Sequence, residues 1–125
     1  MKHIIESQLK DFIKKVGGII DGIAAINTIS AEIIDKNVNQ ALPGEGRLRS
    51  GVCGNAIKWA GLDMIKRINN MRSEIGLKFK IIGVGGVASA EDFKIYISNG
   101  ANAVMSATGV MWNSHLAKEV KNIIK

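Results

Sequence analysis

The sequence predicts an α/β protein in which three parallel strands alternate with four helices. Three observations predict it. Segments with apolar residues at helical spacing take turns with short, almost wholly apolar segments. Those short segments lack the in-and-out alternation of a half-solvated strand, so they suit a parallel sheet covered on both faces. Each closes on small or polar residues shortly before the next helix or loop.

The elements follow in order. Residues 3–16 form an amphipathic helix, with Ile5, Leu9, Phe12, Ile13 and Val16 on one face. Gly17-Gly18 ends it. The stretch Ile19–Ile29 holds the first strand, with its core at Gly22–Ile26 and its close at Asn27-Thr28. Residues 30–54 are long for a connection in a compact domain, a length that goes with function. Within them, residues 33–42 can fold into a small hairpin turning near Asn37, and Pro43-Gly44-Glu45-Gly46 then breaks regular structure.

Ala56–Arg72 returns to helical spacing through Leu62, Ile65, Ile68 and Met71. Lys80–Val84 is the second strand and runs into Gly83-Val84-Gly85-Gly86. Ser89 caps the next helix while Asp92 reaches back in a capping-box pattern, and Asn99-Gly100 stops it. Ala103–Ser106 is the third strand, closed by Ala107-Thr108-Gly109; a last helix runs from about Ser114 to Ile124 with Leu116, Val120, Ile123 and Ile124 inward. Three parallel strands leave two unpaired edges. The chain therefore reads as part of something larger.

With 125 residues, 46% hydrophobic and 22% charged, the composition is that of one folded domain. One proline and 14 glycines exclude collagen-like and proline-rich architectures. The single cysteine, Cys53, excludes an internal disulfide and a multi-cysteine zinc site. No apolar run nears the roughly 18 residues that span a bilayer, and Glu6 comes too early for a signal-peptide core. The expectation is a cytoplasmic protein. Net charge is +6, but the 13 lysines and four arginines are dispersed among acids, and six aromatic residues offer little stacking surface. That pattern predicts a solvated exterior, with neither nucleic acid nor membrane as partner.

In parallel β/α architectures ligands bind at the C-terminal strand ends. Gly83-Val84-Gly85-Gly86 and Ser106-Ala107-Thr108-Gly109 are adjacent strand ends of small residues, each upstream of a helix. Backbone N–H groups can approach a phosphate there, and a helix N-terminus adds a favourable dipole. The bland alternative for these glycines is tight-turn geometry and close packing. Ser50-Gly51-Val52-Cys53-Gly54 has the same character, either as a glycine-rich helix entry or as backbone contact with a flat ligand. Asn27 offers a donor and an acceptor suited to an amide-bearing heterocycle, or equally to its own backbone. Cys53 reads as a buried or merely small residue rather than a nucleophile, because His3 and His115 lie in the first and last helices. Trp59 and Trp112 read as packing residues at helix starts. No cluster has metal-ligand spacing.

Together, Ala25-Ile26-Asn27-Thr28, Ser50-Gly51-Val52-Cys53-Gly54, Ile81-Ile82-Gly83-Val84-Gly85-Gly86-Val87 and Gly100-Ala101-Asn102-Ala103-Val104 resemble the C-terminal portion of the dihydroorotate dehydrogenase family. The likeness covers nearly the whole chain in order and spacing. It implies the C-terminal part of a (β/α)8 TIM barrel, with residues 1–125 as a single partial-barrel domain carrying FMN-binding strand ends. It also implies oxidation of dihydroorotate to orotate in pyrimidine synthesis. By the same resemblance Asn27 and Thr28 face the pyrimidine and flavin, and Cys53 and Gly54 stand beside the flavin where the family has Ser-Gly or Gly-Gly. Gly85 and Gly86 give N–H groups to the FMN phosphate, joined by Ala107 and Thr108, with Ala107 in place of the family's glycine.

The family's proton-abstracting Cys or Ser, a lysine beside the flavin and further substrate-binding asparagines belong to earlier parts of the barrel and have no counterpart here. The chain corresponds to roughly the last three of eight barrel strands, and three strands cannot close a barrel. The resemblance thus implies an enzyme portion that needs the missing N-terminal half. The alternatives are a self-associating, non-catalytic part-barrel that holds FMN, or the related domain of dihydropyrimidine dehydrogenase.

Overall fold

A computed structural model describes residues 6–124. Its helices are α1 (Glu6–Val16), α2 (Lys58–Ile75), α3 (Ala90–Ser98), α4 (Thr108–Trp112) and α5 (Leu116–Ile123). Its strands are β1 (Gly22–Ala25), β2 (Ile29–Glu32), β3 (Arg49–Val52), β4 (Lys80–Val84) and β5 (Ala103–Met105). A 3-10 turn, Gly54–Ile57, leads into α2. Ile5 and His3, assigned to the first helix from sequence, lie outside the described residues.

The expected α/β architecture is present: β1, β4 and β5 form a parallel sheet in chain order, with Ala24 beside Ile82 and Ile82 beside Ala103. Alternation along the strands gives the sheet two faces. Ile23, Ala25, Ile81 and Val104 join the core with Leu9, Ile13, Ile65, Ile68 and Met71 of α1 and α2. Ala24, Ile82, Val84, Ala103 and Met105 lie on the opposite face, which no helix covers among the described residues.

The helix count is corrected from four to five. A short helix, α4, follows β5 directly, and the last helix begins at Leu116 rather than Ser114. Asn113 is the break: its N–H closes α4 on the Gly109 carbonyl, and its carbonyl accepts from Leu116. In α1 only Leu9 and Ile13 are buried, while Phe12 is exposed, so the buried stripe is narrower than the spacing suggested. Ile124 is likewise exposed.

The second long helix runs on to Ile75, beyond the Arg72 expected, and the cap expected at Ser89 is present. Gly76, at φ 79°, closes α2 by donating to the Arg72 carbonyl. Ser89 and Asp92 form a complete capping box on α3. At the N-terminal ends of the strands, Arg72 donates to the Phe79 carbonyl and to Asn102 Oδ1, which also accepts from the Ile81 N–H.

The 30–54 connection holds more structure than expected. β2 and β3 pair antiparallel, from Ile29 with Val52 to Glu32 with Arg49. The turn near Asn37 is there, reduced to one bridge between Ile34 and Gln40. No helix among the described residues is long and apolar enough to cross a membrane.

Candidate functional site

A cavity of about 410 Å³ opens at the C-terminal ends of the three parallel strands. Asn27, Thr28, Cys53, Gly54, Gly85, Gly86, Ala107 and Thr108 all line it. The residues singled out from sequence therefore come together from four separate chain segments. Its size falls within the usual range for small-molecule and cofactor clefts.

Local packing explains the glycines. Gly85 and Gly86 have φ of 122° and 70°, conformations that side chains oppose. A Cβ on Gly86 would also stand 2.8 Å from the Gly54 carbonyl oxygen and 2.8 Å from Lys58 Cβ. Gly51 clears space for Thr28, whose Oγ1 would be 2.7 Å from a Cβ there. Gly109 admits the Val87 carbonyl oxygen, which accepts the Ser106 hydroxyl at 2.6 Å. That hydrogen bond ties the loop after β4 to the loop after β5.

Among the described residues, no Lys, Arg, Asp, Glu or His side chain lines the cavity. Its polar character comes from backbone, hydroxyls and amides. The Gly86 and Ala107 N–H groups donate to nothing among the described residues. Asn27 is exposed, and its amide makes no hydrogen bond to the described backbone. The Thr108 hydroxyl reaches Cys53 Sγ at 3.5 Å.

Several expectations need correction. Of the two readings of Cys53, buried or merely small, the first is overturned: it is exposed, on the cavity wall between β3 and the 3-10 turn. Trp112 ends α4 instead of starting a helix and is 88% exposed, while Trp59 is 59% exposed. Neither packs into the core. At the start of α3 the expected capping box is in place: Asp92 Oδ2 accepts from the Ala88 and Ser89 N–H groups, and Ser89 Oγ from the Asp92 N–H. Three of the N–H groups at this turn are thus engaged by the capping box.

Sequence reading missed what stands behind the glycine loop. Asp92 is buried, and Lys58 donates to its Oδ1 at 2.8 Å. Burial pushes the Asp92 carboxyl up, but the Lys58 hydrogen bond, the Ala88 N–H, the Lys58 charge and the Ser89 hydroxyl outweigh it and hold it below its ordinary value. Tyr96 is fully buried and donates to the Gly85 carbonyl at 2.6 Å. Its burial, with the Asp92 charge nearby, raises the phenol to about 12. The Lys58–Asp92 spacing of 34 residues carries no local signal. For Tyr96 the only hint was the helical position facing the sheet.

The model of the family described as Dihydroorotate dehydrogenase matches residues 3–125. The chain belongs to that family. As a member of the dihydroorotate dehydrogenase family it is 37% identical over 103 residues to the dihydroorotate dehydrogenase of Dictyostelium discoideum, covering 82% of this chain and 28% of that protein. It is 37% identical over 87 residues to dihydroorotate dehydrogenase A (fumarate) of Limosilactobacillus reuteri, covering 70% of this chain and 26% of that protein. With the dihydroorotate dehydrogenase B (NAD(+)) catalytic subunit of Thermodesulfovibrio yellowstonii it shares 31% over 105 residues, 84% of this chain and 32% of that one. The chain thus spans between a quarter and a third of the length of these curated relatives.

Proposed function

We propose that this chain is the FMN-holding C-terminal part of a dihydroorotate dehydrogenase (β/α)8 barrel, acting on dihydroorotate or a similar pyrimidine. One observation carries the reading: the eight residues marked by the family resemblance line one cavity at the C-terminal ends of parallel strands. The open sheet face, with Ala24, Ile82, Ala103 and Met105, suits the inside of a barrel that further strands complete.

The lining fits FMN. A phosphate is received by the backbone N–H groups around Gly86 and Ala107, which donate to no described residue. Thr108 adds a hydroxyl, Cys53 and Gly54 lie along the flavin, and Asn27 with Thr28 faces the pyrimidine. When bound, the flavin takes the hydride from the substrate. The residues of this chain bind and orient; the base that removes the substrate proton comes from the rest of the barrel. The chain alone is accordingly expected to oxidise no dihydroorotate, whatever acceptor is added.

The test is the visible spectrum of the purified chain after incubation with FMN and removal of free ligand. A retained flavin spectrum is expected, and it disappears in Gly86→Ala. A colourless wild-type protein overturns the claim that this segment holds the cofactor by itself. The second reading, a self-associating part-barrel that holds FMN without catalysis, rests on the exposed Met105, Met111 and Trp112 beside the free edge of β5. A monodisperse oligomer that keeps FMN and gains no activity when the remaining barrel segments are supplied would favour it.

A further inference from the structure

The peptide joining Gly85 to Gly86 is anchored from behind. Tyr96 comes from α3, is fully buried, and its hydroxyl donates to the Gly85 carbonyl at 2.6 Å. The phenol occupies a slot cut by two glycines. A Cβ on Gly61 would stand 2.1 Å from the hydroxyl, and one on Gly83 would stand 2.3 Å from the ring. Thus α2, β4 and α3 are all shaped around one hydroxyl that reaches one carbonyl.

The C=O and N–H of a trans peptide point in opposite directions. The Gly85–Gly86 peptide is trans, since Ala25–Ile26 holds the cis bond among the described residues. With the Gly85 carbonyl drawn toward the buried phenol, the Gly86 N–H is turned the other way, toward the cavity both glycines line. That N–H donates to no described residue. Two glycines in succession leave this peptide free to rotate unless something holds it. Rotated by half a turn, it would show an anion a carbonyl oxygen instead of a donor.

We propose that Tyr96 is a positioning residue that locks the Gly85–Gly86 peptide so that an N–H, rather than a carbonyl, faces a bound phosphate. The inference rests on the flavin-phosphate reading above and adds the residue that fixes its donor. Tyr96 acts through the peptide and touches no ligand. A purely structural role would weaken every ligand alike, whereas this one weakens only those that carry phosphate.

The full chain and Tyr96→Phe are titrated with FMN, with riboflavin, which lacks the phosphate, and with inorganic phosphate, following the Gly86 amide by NMR. Loss of a hydrogen bond to an anion predicts FMN affinity lower by roughly tenfold or more, with riboflavin affinity changed by less than about twofold. Phosphate should move the Gly86 amide in wild type and leave it in place in the variant. Equal FMN affinity in both proteins, or equal losses for FMN and riboflavin, overturns the proposal.

Tyr96 is the single tyrosine of the chain, so fluorotyrosine labelling gives one resonance and a second readout if Tyr96→Phe does not fold. That resonance should respond to FMN and phosphate and ignore riboflavin; indifference to all three overturns the proposal. A wild type that binds phosphate at Gly86 through Tyr96 but takes no FMN would sink the flavin reading alone. FMN bound equally by both proteins would sink the Tyr96 role alone.

Discussion

The cavity has two walls, and they are built differently. The wall at the ends of β4 and β5 is fixed by neighbouring elements: the buried Tyr96 of α3 holds the Gly85 carbonyl, and Ser106 after β5 holds the Val87 carbonyl. The wall at the ribbon, where Thr28 and Cys53 sit at the ends of β2 and β3, is fixed mainly by its own strands. Arg49 reaches across to the Ser30 carbonyl and hydroxyl, and Thr28 lies on Gly51. The far end of the ribbon hangs on Asp35, whose carboxylate accepts the Asn37 and Asn39 N–H groups. Interactions from many elements make the first wall part of the global fold. Local bonds at the surface, with only the Thr108–Cys53 hydrogen bond among the described residues linking it to the first wall, predict that the second opens by itself.

Truncation at equivalent apolar positions should expose this difference most strongly. Ile81 is fully buried in β4, so Ile81→Ala is expected to cost about 2–5 kcal/mol through lost burial and the cavity it leaves. Leu48, beside β3, is 45% exposed, and Leu48→Ala should stay within about 0.5 kcal/mol. Denaturant melts of the two variants measure both. A cost at Leu48 approaching that at Ile81 would place the ribbon inside the cooperative core and erase the distinction.

The same division governs what could be read from the residues alone. The three parallel strands and the α3 cap were legible because apolar periodicity and capping chemistry act within a few residues of sequence. The cavity residues were legible because small residues at strand ends, together with the family resemblance, marked each segment. The ribbon was not: β2 and β3 are four residues each, half-exposed, and separated by a 16-residue loop, so neither alternation nor turn spacing announced their pairing. α4 was missed because its five residues, Thr108–Trp112, have too few turns to show a period. The exposure of Trp112 and Cys53 was missed for another reason. Residue type predicts average burial, and a cavity wall is where apolar side chains depart from that average.

A smaller effect comes from the ion pair that backs the glycine loop. Asp92 lies below its ordinary value of 3.8 in the folded chain, so it stabilises the fold above about pH 4 and loses that contribution as pH falls through the depressed value. Asp92→Asn removes the charge partner of Lys58 and should cost roughly 2 kcal/mol at neutral pH, with a flatter acid limb in a plot of stability against pH. Tyr96 acts at the other end. Its phenol is raised to about 12, so the stability it gives is intact below pH 10 and lost as pH rises toward 12. Stability profiles of wild type and Asp92→Asn that run parallel below pH 4 would remove Asp92 from the first wall.

The smallest effect belongs to the tip of the ribbon, and its sign is opposite. Val38 holds φ at 65°, a conformation that a β-branched side chain resists and that Asn adopts far more readily. Its side chain is 74% exposed, so replacing it surrenders little burial. Val38→Asn should therefore stabilise the turn by somewhat less than about 1 kcal/mol. With the ribbon opening independently of the parallel sheet, as its surface bonds predict, the gain should be confined to slower hydrogen exchange at the Asn39 and Ala41 amides, which bond to Asp35 and Ile33. The global melt should not move. A rise in melting temperature that matches the local gain would mean that the two walls unfold together, and the ribbon would then be as much a part of the site's scaffold as β4.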